Sequence, residues 1–209
     1  MELKTDSRSH LVRARQLLDV ETDATLFYAA YELRCCIERR LIEYSYAEEE
    51  TLRRKRRGWK IAQIARGLKK AALAGDTIAK FTFMPDGGSE MTLYYTPVTR
   101  FLRKSGQRLG ELLHGNKPTR LWEPGGMERE RAHLETVYQA LKIATFGTLL
   151  APPLINKDKK VKLLAEFPDG PDSALDLKAL LVPQTRCIVH VSYLKSLSEE
   201  MPCVRSILQ

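Results

Sequence analysis

Arg108 and His114 stand six positions apart in the basic stretch Thr96 to Asn116, and they are the two residues here whose types suit chemistry on a phosphate. A guanidinium presents a fixed fork of donors that matches phosphate oxygens. An imidazole takes or gives a proton near neutral pH, because its ordinary pKa is about 6.5. Together they suit cleavage of RNA without a metal. The substrate's own 2′-hydroxyl is the nucleophile, the histidine handles a proton, and cations stabilise the charge on the phosphate. One arginine and one histidine are a thin site, and a symmetric dimer would bring two of each into a single cleft.

The stretch that carries them reads as a helix, with Thr96 as cap and Pro97 at its first position. At about 100° per residue, Val98, Phe101, Leu102, Ser105, Leu109, Leu112 and Leu113 fall on one apolar stripe. Arg108 sits at the edge of that stripe, and His114, about 120° further round, faces away from it among Arg100, Arg103, Gln107 and Glu111. Gly115 is the expected left-handed residue that ends the helix.

Of the chain's 209 residues, 34 are Lys or Arg and 26 are Asp or Glu, and the resulting charge of +8 favours a polyanionic partner. The Arg53, Arg54, Lys55, Arg56 and Arg57 run reads as an exposed phosphate-tracking patch or as a solvated tip, with Arg103 and Lys104 as further candidate RNA contacts. Trp59 opens a helix running to about Leu73. Cys35, Cys36, Cys187 and Cys203 form no CxxC pair, so neither a zinc site nor a disulfide framework is expected. His10, His133 and His190 fall on different elements without ligand spacing and read as ordinary surface or half-buried histidines. No P-loop, GxGxxG, HExxH or GxSxG is present, so nucleotide hydrolysis, dinucleotide binding and serine or zinc hydrolysis lack a motif. The N-terminus has no apolar leader, and the longest mostly apolar run, Ala144 to Ile155, is broken by Pro152 and Pro153. A cytoplasmic location without a membrane partner is the expectation.

The elements that must position the pair are mostly helices. Ser7 caps a first helix over about Ser9 to Val20, with Leu11, Ala14, Leu17 and Leu18 on its apolar side. Thr22 or Asp23 caps a second, in which Leu26, Ala30, Leu33, Ile37, Leu41 and Tyr44 recur at spacings of three and four. Arg34 and Glu38 on its flank can pair, and Glu32 can meet polar partners across a bundle. Between Ala79 and Val98 the period drops to two, with Phe81 and Phe83, then Met91, Leu93 and Tyr95, flanking an Asp86-Gly87-Gly88 turn: a β-hairpin. A last long helix runs from Glu128 to about Leu150, with Leu134, Val137, Leu141, Ala144 and Thr148 along one side. Lys160 to Phe167, Ser173 to Val182 and Arg186 to Tyr193 read as three strands of a β-meander. The fold class is α+β, with an up-down helical bundle over residues 1–151 interrupted by the hairpin at about 79–96. Residues 152–209 form the meander, packed on the bundle because about 55 residues are marginal alone.

An arginine, five residues, then histidine and glycine late in a helical bundle resembles the HEPN superfamily, whose motif separates arginine and histidine by four to six residues. The second helix, AYELRCCIERRLIEY from Ala30 to Tyr44, is similar to the HEPN helix that carries a glutamate and an arginine beside the active-site helix. The resemblance covers about residues 8–150 and leaves out the hairpin and the tail strands. Leu109 follows the arginine where many members have a polar residue, and Asn116 stands where the toxins silenced by nucleotidyl transfer have tyrosine. The resemblance implies a dimeric, metal-independent endoribonuclease without cofactor, of toxin–antitoxin, phage-defence or CRISPR-associated type. Arg108 and His114 would be its catalytic pair, Glu38 and Arg34 their support, and an antitoxin or other protein its regulator. Some members keep the fold and only bind RNA or a partner, and a non-catalytic helical module of that kind is the alternative.

Overall fold

The computed structural model describes residues 5–20, 22–47, 76–86, 90–114, 123–149, 154–155, 161–162 and 187–194. The arginine run, the helix expected at Trp59, Gly115 and most of the first two tail strands lie outside the described residues. Among the described residues are helices α1 (Ser7–Leu18), α2 (Asp23–Ala47), α3 (Arg100–Leu113) and α4 (Gly126–Phe146). The strands are β1 (Ile78–Pro85), β2 (Met91–Tyr95), β3 (Leu154–Ile155), β4 (Val161–Lys162) and β5 (Cys187–Leu194). The class is α+β, and no described helix is long and apolar enough to cross a membrane.

The chain divides into two compact units, one made of the four helices and one of the strands. The hairpin therefore groups with the tail and does not interrupt a single unit over 1–151, which corrects the expected boundary. The reason is backbone pairing: β1 lies between β2 and β5 in an antiparallel sheet of order β2-β1-β5. Phe81 faces Leu93 on one side and Val191 on the other, and Phe83 likewise faces Met91 and Val189. The last predicted tail strand is thus paired with β1 of the hairpin's sheet, while the second predicted tail strand lies outside the described residues. The described part of the first tail strand, β4, pairs with β3. Within this unit Gly147 donates its N–H to Thr96 Oγ1 at 3.0 Å, and Leu149 donates to the Tyr94 carbonyl at 3.0 Å. A Cβ at Gly147 would lie 2.8 Å from that Tyr94 oxygen, so the close approach requires glycine.

In the helical unit α2 packs against α1, α3 and α4. Its predicted stripe, Leu26, Ala30, Leu33, Ile37, Leu41 and Tyr44, is buried throughout. Ser7 on α1 meets Glu43 and His10 meets Glu32, so the two helices run antiparallel. The cap of α1 is Asp6, whose carboxylate accepts the Ser9 N–H. Ser7 is the first helical residue and gives its N–H to Glu43 Oε1 at 2.9 Å and its hydroxyl to Oε2 at 2.8 Å. A hydroxyl inside the first turn is free to reach across the bundle, and a carboxylate just before it is the better cap. Glu32 finds its partners as expected, His10 at 2.6 Å and Arg13 at 3.0 Å. Burial alone raises the Glu32 carboxyl, and the hydrogen bonds from Arg13 and His10 outweigh it and hold its pKa below the ordinary value.

Helix α4 buries Leu134, Val137, Leu141 and Ala144, and it runs antiparallel to α1 because Arg131 caps the Leu18 carbonyl while Arg8 reaches the Thr145 carbonyl. These last-turn carbonyls have no partner within their own helices, so arginines from neighbours satisfy them.

Candidate active site

The residues of α3 set out the site. The cap is Thr99, one turn later than the expected Thr96. Thr99 has extended backbone, and its hydroxyl accepts the Leu102 N–H, while Thr96 is turned away to Gly147. Leu102, Ser105, Gly106, Leu109 and Gly110 are buried. The buried face is therefore rotated toward the two glycines relative to the predicted stripe, and Phe101 is 42% exposed. Small residues let a neighbouring helix or side chain approach there, which apolar periodicity does not register. Leu102 and Leu109 anchor the helix, each contributing about 1.5–3 kcal/mol by burial.

Arg108 lies at the edge of the buried face, with its side chain 53% exposed, and pairs with Glu130 of α4, whose side chain is 8% exposed. His133, three residues further along α4, is half-buried, and its ring meets that of Phe101 edge to face with centroids 6.4 Å apart. Burial pushes the His133 imidazole pKa down, the Arg108 charge pushes the same way, and Glu130 opposes them. Glu130 Oε1 and His133 Nε2 are both buried without a hydrogen-bond partner among the described residues.

His114 ends α3 as its C-cap, with its N–H returned to the Gly110 carbonyl at 3.1 Å and its side chain exposed. On this helix Gly110 and His114 are about 40° apart, whereas Arg108 and Gly110 are about 160° apart. Arg34 and Glu38 of α2 form the expected pair, Nε to Oε1 at 2.9 Å. The Arg34 guanidinium lies over Gly110, its Cζ 2.9 Å from where a Cβ there would stand. The four predicted residues are thus divided around α3. Arg34, paired with Glu38, lies over the turn that leads to His114, and Arg108 turns to α4.

The two further basic candidates on α3 differ. Arg103 turns back on its own helix and donates to the Val98 carbonyl at 2.6 Å, while Lys104 is exposed. Sequence reasoning missed Glu130 and gave His133 no role. The signal available was Glu130 itself, which falls on the heptad-like stripe that continues through Leu134, Val137, Leu141 and Ala144. An acid in an apolar stripe needs a partner.

Chemically, exposed Arg108 can take a phosphate oxygen, exposed His114 can exchange a proton with solvent or substrate, and Arg34 of α2, paired with Glu38, places a second guanidinium against α3 at Gly110. Among the described residues no group of three or more His, Cys, Asp or Glu is placed to hold a metal ion. In comparisons with known proteins the chain matches no family model, no curated protein and no solved structure.

Proposed function

We propose that the protein is a metal-independent endoribonuclease of HEPN type, acting as a homodimer on RNA, in a defence or toxin–antitoxin setting. The observation that carries this reading is that Arg108 and His114 both stand on exposed positions of one helix anchored by Leu102 and Leu109. A rigid helix holds a cation and a proton-transfer group at fixed separation, which is what an attack within the substrate requires.

In the reaction the 2′-hydroxyl oxygen of RNA bonds to the adjacent phosphorus and the 5′-oxygen of the next nucleotide leaves. The products are a 2′,3′-cyclic phosphate and a 5′-hydroxyl. His114 takes the 2′-hydroxyl proton or gives one to the leaving oxygen, and the second copy's site supplies the complementary role. Arg108 stabilises the charge that builds on the phosphate oxygens. Arg34, held by Glu38, supports the same helix.

The test is cleavage of labelled RNA in EDTA by the wild type, His114→Ala and Arg108→Ala. Survival in EDTA, cyclic phosphate ends and loss in both variants are expected. Failure of folded, dimeric protein to cut a broad RNA panel would overturn the reading in favour of a helical module that only binds nucleic acid or a protein.

A further inference from the structure

Arg108 has one partner among the described residues, and the way it is held is unusual. A surface guanidinium on a long flexible side chain commonly wanders, because holding it costs rotamer entropy. Here the carboxylate that holds it is more than nine-tenths buried, in the contact between α3 and α4. Burying a carboxylate is expensive unless it is both paired and hydrogen-bonded, so a glutamate kept only for stability should have both oxygens filled. Glu43 in the same bundle meets that condition, taking Ser7 N–H on one oxygen and Ser7 Oγ–H and Arg40 on the other. Glu130 does not: Oε2 takes Arg108, and Oε1 has no hydrogen-bond partner among the described residues. His133 Nε2, one turn away on the same helix, is likewise buried without one. Among the described residues this group is thus less fully hydrogen-bonded than Glu43. What it does is fix one edge of a guanidinium that faces solvent over half its surface.

We propose that Glu130 is a positioning residue of the candidate site: from inside the α3–α4 contact its carboxylate fixes the direction in which Arg108 presents its remaining donors to a phosphodiester. Arginine carries five N–H donors in a rigid fork, and one donor bonded to Oε2 leaves the others aligned outward. Phe101 lies on the same side of α3 as Arg108, about two turns earlier, and its ring meets that of His133. The catalytic consequence rests on the ribonuclease reading, but the geometric claim stands apart from it.

The experiment is a double-mutant cycle in the full chain with Arg108→Gln, Glu130→Gln and the double variant. Cleavage rate, RNA binding by fluorescence anisotropy and thermal melting are measured for each, and Glu130→Gln keeps the shape of the side chain so that folding is retained. Glu130→Gln should lower cleavage roughly 10- to 100-fold, the scale of loss when a reacting group is misplaced, and the double variant should be no worse than Arg108→Gln. A second readout is the NMR titration of the His133 ring. Arg108 from α3 and Glu130 from α4 are the charged groups acting on it among the described residues, so Arg108→Gln should raise its midpoint and Glu130→Gln lower it. Losses that multiply in the double variant, or a His133 midpoint that moves in neither single variant, overturn the proposal. Absence of any cleavage by the wild type would refute the ribonuclease reading instead. The same cycle read in binding then decides the role of Glu130: Glu130→Gln must weaken RNA binding only where Arg108 is present.

Discussion

Two arginine–glutamate pairs in the helical unit are built to opposite ends. Arg40 is wholly buried, its Nε shared between Tyr44 Oη and the Ala144 carbonyl at 3.0 Å each, its Nη1 3.2 Å from Glu43 and its guanidinium 4.7 Å above the Tyr44 ring. Through Glu43 it reaches both polar groups of Ser7, so one cation ties the start of α1, the C-terminal part of α2 and the end of α4. Arg108 and Glu130 join α3 to α4, leave a carboxylate oxygen without a hydrogen-bond partner among the described residues and turn the guanidinium to water. Residue type is the same in both places. What separates a structural pair from an available one is how completely its donors and acceptors are filled by the fold.

The largest effect should come from Arg40→Ala, which takes the buried guanidinium away from Glu43, Tyr44 and the Ala144 carbonyl at once. Removing one member of a buried pair costs about 3–5 kcal/mol, to be read as a fall in the urea midpoint. Arg108→Gln should cost less, about 1–3 kcal/mol, since it leaves one buried carboxylate short of a donor, yet it should lose far more cleavage or RNA binding. Equal stability losses in the two variants would break the comparison. Gly110→Ala should change stability by less than about 1 kcal/mol, because the helix gains from alanine what it loses by pushing aside the flexible end of Arg34. Its RNA cleavage should nonetheless fall if Arg34 supports the turn leading to His114. Unchanged cleavage would leave Arg34 a purely packing residue.

The smallest effect is in pH. His133 has a depressed pKa in the fold, first through burial and then through Arg108. As pH falls through the ordinary imidazole range, the unfolded chain takes up a proton that the folded one refuses, so stability drops with acid in that window. His133→Gln should flatten that slope in denaturation curves taken between about pH 5 and pH 7. A slope that persists unchanged would assign it to other groups.

Much of the helical unit was legible along the chain. A stripe at spacings of three and four is a local property, so α2 and the buried side of α4 followed from it, as did the Arg34–Glu38 pair four positions apart. The hairpin was legible for the same reason, with alternation in Phe81 and Phe83 matched by Leu93 and Tyr95. Caps were harder: Asp6 and Thr99 displaced Ser7 and Thr96 because a hydroxyl serves whichever donor the fold brings to it. Arg108 and His114 were singled out by type and spacing, and their exposure agrees with the helix drawn from the sequence.

Among the described residues, the sequence by itself determined which segments are helical and which are extended, because periodicity and turn residues act over a few positions. The tertiary structure decided that β5 completes the hairpin's sheet, a pairing between residues about a hundred positions apart that no local pattern encodes. It also decided that Arg108 meets Glu130, while Arg34 comes to rest over Gly110. Those meetings depend on which helix faces pack together. Polar partners are chosen across the core by that packing, so their identities become visible only once the helices are in place.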